Sequence, residues 1–412
     1  MVDMTDESEG FGGGLFGDDG EDNDPYDAIG DFEPDVMASG HSNHVAGGIL
    51  AAPHMMRDCL GHQDVEAELL ALINKGELPH ALIFSGPKGI GKATMAFRLA
   101  RYLLKHGVKD NEDDGGGLFG DALPPLPDAT TLDIAFDDPV FLQIAAGANP
   151  NMLYLERAYD ERKGQHKKGI DVETARQVVP FMRMTAHDGG WRCVIIDDAD
   201  LMYNNSQNAI LKILEEPPEK TLLVLVTHRL GALIPTIKSR CRTVRFDTLE
   251  YDDFNNLLQR VEDVPAKDVK VLFDLSRGCA GRAINMLEEG GVEVIHTVFD
   301  LLRDFPRWDW KKIHQIAQSM SKKGQENSLR AFEEVMIWFL DSMLRAKASG
   351  RELPEIFGAQ SFNILLSHYS LMEWIEISTN IKELFIDIER SNLDKRQTVF
   401  GVFTLLDEKM AA

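Results

Sequence analysis

The run Ala81-Leu82-Ile83-Phe84, followed by Gly86-Pro87-Lys88-Gly89-Ile90-Gly91-Lys92-Ala93-Thr94, constrains this chain more than any other feature. The short apolar run reads as a buried strand. Thr94 to Leu104 carries Met95, Leu99, Tyr102 and Leu103 on one side at helical spacing. The glycines therefore lie between a strand and a helix. There, backbone N–H groups at the helix start can cradle phosphates, and Lys92 can reach the β and γ oxygens. Gly86, Gly89, Gly91, Lys92 and Thr94 are the candidate phosphate-binding residues. The residue after the lysine should be Ser or Thr, whose hydroxyl holds Mg²⁺. Here it is Ala93, and Thr94 lies roughly 100° further around the helix. Two readings are open: a loop that binds nucleotide weakly, or a structural remnant.

Around this element, strands and helices alternate. Val65 to Leu78 is expected to be helical, Cys193–Ile196 a buried strand, and Ser206–Glu216 a helix stopped by Pro217-Pro218. Thr221–Val226 and Thr243–Phe246 supply further strands. Such alternation implies a mostly parallel sheet covered on both faces. After residue 247 the strand signals stop. Tyr251–Val261, Ala266–Leu275 and Arg282–Glu288 read as short helices, and 292–412 is helical throughout. Leu371, Trp374, Ile375, Ile381, Leu384, Phe385 and Ile388 form an apolar stripe on one long helix, which needs a neighbour.

Two further constellations carry chemistry. Val194-Ile195-Ile196-Asp197-Asp198 is an apolar strand ending in acids, as in the second half of a phosphate-loop site. Asp197 would hold Mg²⁺, directly or through water. Asp198 stands where the longer Glu usually polarises an attacking water. Ser239-Arg240-Cys241 follows Ile234-Pro235-Thr236 in the loop before a strand. An arginine projected there can reach a nucleotide on a neighbouring subunit. Its planar, permanently charged guanidinium suits charge developing on a γ-phosphate.

Composition narrows the classes. The formal charge of −24 is concentrated in residues 1–40, with 13 Asp and Glu, and 110–138, with 9, neither holding Lys or Arg. The remainder is nearly neutral, which excludes nucleic-acid binding by bulk charge. Residues 1–48 read as a disordered, acidic, Gly-rich tail, and 110–138 as an acidic insertion loop. Gly12-Gly13-Gly14-Leu15-Phe16-Gly17-Asp18 recurs at Gly115–Asp121, either as biased composition or as a duplicated linear motif. Arg157, Arg162, Lys163, Lys167 and Lys168 form a local basic stretch, either a solvated loop or a DNA-backbone contact. No apolar run reaches the ~20 residues of a membrane helix. The acidic N-terminus resembles neither a secretory nor a transit peptide. Cys59, Cys193, Cys241 and Cys279 are dispersed, so no zinc site is expected and a reducing cytoplasm fits.

Gln207-Asn208-Ala209-Ile210-Leu211-Lys212-Ile213-Leu214-Glu215-Glu216-Pro217-Pro218, with Ser239-Arg240-Cys241, resembles the clamp-loader branch of the AAA+ superfamily. Gly61-His62, Leu78–Phe84, Gly278–Ala283 and Asp387–Gln397 extend the resemblance over roughly residues 50–412, interrupted at 107–140. Within that branch it resembles the delta-prime subunits of bacterial DNA polymerase III. The resemblance implies an AAA+ P-loop domain at 49–247 with a parallel sheet. It also implies a small helical lid domain at 248–291 and an all-α collar domain at 292–412. Thr227 would fall in the sensor-1 region, and Arg282 in sensor 2, near a nucleotide phosphate. The cofactor would be ATP or ADP with Mg²⁺. The implied role is that of a stator in DNA replication. It would sit beside clamp-loader ATPase subunits and a delta-type subunit in a hetero-pentamer, supplying Arg240 in trans. That assembly loads a sliding clamp onto primed DNA, as part of a DNA-directed DNA polymerase holoenzyme, a nucleotidyltransferase. Ala93 and Asp198 agree with a subunit that does not turn over ATP itself. The alternatives are an ATP-hydrolysing motor subunit, a small-molecule phosphotransferase and a stator with no catalytic part. Relatives often carry a four-cysteine zinc module after the first helix, and this chain has none there.

Overall fold

The computed structural model describes residues 52–107 and 128–407, apart from short breaks at 161–164, 185, 187–189, 262–263, 289, 323–325, 351–352, 354–356, 358–359 and 392–394. The acidic tail and both copies of the Gly-Leu-Phe-Gly element lie outside the described residues, as do Arg162 and Lys163.

The strands are β1 (Ala81–Ser85), β2 (Met152–Leu155), β3 (Tyr159–Asp160), β4 (Gln165–His166), β5 (Arg192–Ile196), β6 (Thr221–Thr227) and β7 (Arg242–Arg245). Five of them form a parallel sheet in the order β2-β5-β6-β1-β7, while β3 and β4 make a separate antiparallel pair. Ala81 pairs with Leu223, Leu82 with Arg242, and Cys193 with Leu222. Side chains alternate across the pleat. Leu82, Phe84, Cys193, Ile195, Leu222 and Val224 pack against the Gln63–Lys75 and Lys92–His106 helices. Ala81, Ile83, Val194, Ile196, Leu223 and Leu225 face Val178, Phe181, Ile213 and Ile237 on the other side. Both faces are buried, which is why these strands read as unbroken apolar runs.

Three expectations shift. β2 has no counterpart among the strands expected from sequence, because Met152-Leu153-Tyr154-Leu155 is only four residues long and follows the insertion. The first helix ends at Lys75 rather than Leu78, where Gly76 takes the left-handed conformation at φ 69° that terminates helices. The single helix expected over Ser206–Glu216 is two, Asn204–Ala209 and Leu211–Glu215, interrupted at Ile210. Part of the acidic insertion is anchored. Leu132 and Ile134 are buried, Asp133 pairs with Arg98 at 2.7 Å, and Asp138 caps the Pro139–Ala145 helix through the Val140 N–H.

The described elements beyond β7 are all helices, and an apolar cluster among the described residues runs from Leu249 to Leu406. Trp338 stacks on Phe357 at 5.0 Å, and its indole N–H donates to the Asp274 carbonyl at 2.9 Å. The Leu371–Ser391 helix buries Trp374, Ile377, Ile381 and Phe385. Leu371 and Ile375 of the expected stripe are exposed instead. The Ile388 side chain is outside the described residues.

None of the cysteines is disulfide-bonded, and burial raises the pKa of every thiol, to about 12 for Cys59 and Cys241. The reactive species is the thiolate. Ellman's reagent at pH 8 is therefore expected to label the native chain slowly and all 4 thiols once it is denatured. Rapid labelling of the folded chain contradicts this burial.

Candidate functional site

A cavity of about 460 Å³ opens at the carboxyl ends of β1, β5 and β6. Ligands in open parallel sheets bind at that edge. Residues Lys88 to Thr94, Asp197, Asp198 and His228 form its polar side. Met56, Asp58, Cys59 and Leu60 form one wall, and Leu257, Ala280 and Gly281 the wall facing the helical region. The size matches the few hundred Å³ of a small-molecule site.

The loop after β1 turns through glycines with positive φ, 79° at Gly89 and 102° at Gly91. A Cβ at Gly89 would lie 2.9 Å from the Arg282 backbone nitrogen, so only glycine fits. The Gly281 N–H donates to the Gly89 carbonyl at 2.7 Å, which fastens the Ala280–Glu288 helix onto the loop. Gly86 stands behind the cavity, where a Cβ would meet the Phe246 carbonyl at 2.4 Å.

Lys92 is 3% exposed. Its ammonium donates to the carbonyls of Gly86, at 2.9 Å, and Pro87, and to His228 Nδ1 at 2.9 Å. An ammonium has no lone pair, so Nδ1 must accept and Nε2–H must donate. The Nε2 partner is Asp198 Oδ1 at 2.6 Å. The imidazole thus bridges the loop lysine and the strand-end acid. Burial pushes Lys92 down to about 8, against the pull of Asp197 above all. Burial alone would raise Asp198. The His228 hydrogen bond, with the charges of Lys88 and Arg157, overcomes it and holds the carboxyl down at about 2. Asp197 goes the other way, pushed up by burial and then by the adjacent Asp198. It accepts from the Tyr154 hydroxyl at 3.1 Å.

Gly89, Gly91, Lys92, Thr94, Asp197 and Asp198 therefore converge on one cavity. Thr227 and Arg282 do not line it. Thr227 is fully buried and its hydroxyl donates to Asp200 at 3.4 Å. Arg282 pairs with Glu334 at 3.3 Å. Arg240 is also remote from it. It follows the short Pro235–Lys238 helix, with its side chain 34% exposed and paired to Glu215 at 2.7 Å. Sequence reasoning missed His228, whose only signal is its place one residue beyond an apolar strand. Arg157, read from sequence only as part of a basic stretch, lies just beyond β2 and pairs with Asp198 at 3.3 Å. Among the described residues no group of three or more His, Cys, Asp or Glu side chains could hold a metal ion. No described helix is long and apolar enough to cross a membrane.

The family described as "DNA polymerase III, delta subunit" matches residues 139–250, which hold Asp197, Asp198, His228 and Arg240. The chain is similar to DNA polymerase III subunit delta' of Pseudomonas aeruginosa, 35% identical over 205 residues, covering 48% of this chain and 53% of that one. It is also similar to replication factor C subunit 5 of Homo sapiens, 27% identical over 241 residues and 57% of each chain. The aligned part spans a little over half the length of these curated relatives. Among solved structures, a DNA polymerase III gamma subunit-related protein from Thermotoga maritima aligns with 82% of this chain and 99% of its own, at 17% identity and a TM-score of 0.37. Its parallel sheet, glycine loop and strand-end acids, together with these sequence relatives, make the chain similar to clamp-loader proteins of the AAA+ superfamily.

Proposed function

We propose that this chain is a clamp-loader subunit acting as the stator, which supplies Arg240 as an arginine finger to the ATP of an adjacent ATPase subunit. One observation carries the reading: Arg240 projects at the surface, away from the chain's own cavity, whereas that cavity has Ala93 where a metal-binding hydroxyl belongs. A guanidinium so placed can serve a nucleotide only in trans. Residues 49–247, 248–291 and 292–412 act as P-loop, lid and collar domains. The collar joins ATPase subunits and a delta-type subunit in a hetero-pentamer, which loads the sliding clamp onto primed DNA.

The chain's own cavity fits a nucleoside di- or triphosphate. The backbone cradle at Gly89 and Gly91 and the ammonium of Lys92 suit phosphates, and Asp197 is the remaining candidate for Mg²⁺. Lys92 must carry its proton to meet a phosphate, and buried in the free chain it loses that proton near pH 8. Raising the pH above 8 therefore weakens binding, by up to about tenfold per unit for one linked proton. Titration of a fluorescent ADP analogue between pH 7 and 9.5 checks this. Lys92→Met is expected to abolish both the slope and most of the affinity, and a flat wild-type profile contradicts the assignment.

The direct test is ATP turnover by the purified chain, alone and then with a clamp-loader ATPase partner. The stator reading expects none alone and Arg240-dependent turnover in the mixture. Robust turnover alone, lost in Lys92→Ala, would make this subunit a motor.

A further inference from the structure

Arg240 is held by its own chain at both ends of the guanidinium. Nη2 pairs with Glu215 Oε1 at 2.7 Å. Nη1 donates to the Thr236 carbonyl at 3.0 Å and approaches the Ser239 hydroxyl at 3.4 Å. Glu215 is the last residue of the Leu211–Glu215 helix, just before Pro217-Pro218, and its side chain is 49% exposed. The segment leading to Arg240 is fixed as well. The Gln207 side chain is 1% exposed, donates to the Ala232 carbonyl at 3.2 Å and accepts from the Ile234 N–H at 2.8 Å. Two helices of one sequence run thus fix the backbone of the arginine's carrier and one edge of its side chain.

We propose that Glu215 is a positioning residue for Arg240, orienting the guanidinium plane so that the N–H groups it leaves uncommitted meet a phosphate on the adjacent subunit. The proposal rests on the arginine-finger reading above. A flexible arginine samples many rotamers, and a phosphate must freeze the side chain before charge can be neutralised. A carboxylate that fixes one edge in advance leaves the remaining donors aimed outward and removes that cost from the reacting step. Glu215 touches no reacting atom. It acts through the arginine alone.

The test is steady-state ATP turnover by the reconstituted complex of full-length chain and ATPase subunits, comparing wild type, Glu215→Gln, Arg240→Ala and the double variant. Glu215→Gln is expected to lower kcat about tenfold, since one charge-assisted contact is lost. KM should stay within about twofold, because nucleotide binding by the neighbour is untouched. Combined with Arg240→Ala, Glu215→Gln should have no further effect. Unchanged melting temperature and assembly separate positioning from structural loss. If Arg240→Ala slows turnover while Glu215→Gln leaves kcat unchanged or raises it, the finger reading stands and the positioning role is overturned. An additional loss in the double variant overturns it too. If Arg240→Ala itself has no effect, both fall together.

Discussion

On the stator reading, replacing Arg240 with alanine is expected to lower ATP turnover by an adjacent clamp-loader ATPase by about 10³-fold or more, the range set by arginine fingers acting in trans. Little of that loss should come from the fold. The Arg240–Glu215 pair is solvent-facing, and pairs of that kind contribute about 0–1 kcal/mol. The chain should melt almost unchanged and still assemble, so turnover and stability separate cleanly. Arg240→Lys should restore little, because a point charge on a flexible stem cannot reproduce the planar fork. Single-turnover kinetics of the reconstituted complex is the measurement. A partner that hydrolyses ATP equally well beside the Arg240→Ala chain would leave this subunit as scaffolding only.

The largest expected effect on stability lies at Arg98, inside the helix that begins with Lys92. Its side chain is 4% exposed and reaches both oxygens of Glu66, at 2.9 and 2.8 Å, as well as Asp133 at 2.7 Å. Glu66 also accepts from the Leu132 N–H and the Thr131 hydroxyl. Removing the cation leaves the half-buried Glu66 and the more exposed Asp133 without their shared partner. Breaking such a network from one side costs about 3–5 kcal/mol. Arg98→Met should lower the urea midpoint accordingly, whereas Glu66→Gln combined with it should recover part of the loss. Arg98 also donates to the Arg57 carbonyl, and Arg101 to the Met56 carbonyl at 2.6 Å. These bonds hold the 54–58 segment that forms one cavity wall, so nucleotide affinity should fall in parallel. A midpoint shift equivalent to less than about 1 kcal/mol would show the network to be dispensable.

The chemistry of the loop was legible because it is local. Gly89 and Gly91 need backbone conformations that few other residues adopt, and Lys92 follows at a spacing that one helical start dictates. The apolar runs of β1, β5 and β6 were equally clear, since central parallel strands bury both faces. β2 was not, because a four-residue run carries too little periodicity to tell from a loop. Missing β2 hid the partnership between Arg157 and Asp198. His228 was invisible for a related reason: one histidine beyond a strand says nothing until the sheet order sets β6 between β1 and β5.

Sequence alone determined the strand–loop–helix that can hold phosphate, the absence of a hydroxyl at Ala93, and the division between a strand-bearing half and a helical half. These depend on residues adjacent in the chain, where steric and periodic rules act over one or two turns. Tertiary structure decided which charges meet. It set His228 between Lys92 and Asp198, turned Thr227 toward Asp200, and gave Arg282 to Glu334 and Arg240 to Glu215. Those pairings span from 25 residues of chain, between Glu215 and Arg240, to 136, between Lys92 and His228. Electrostatic partnership falls off over a few ångströms of space, and space on that scale is defined only once the sheet and its helices have packed.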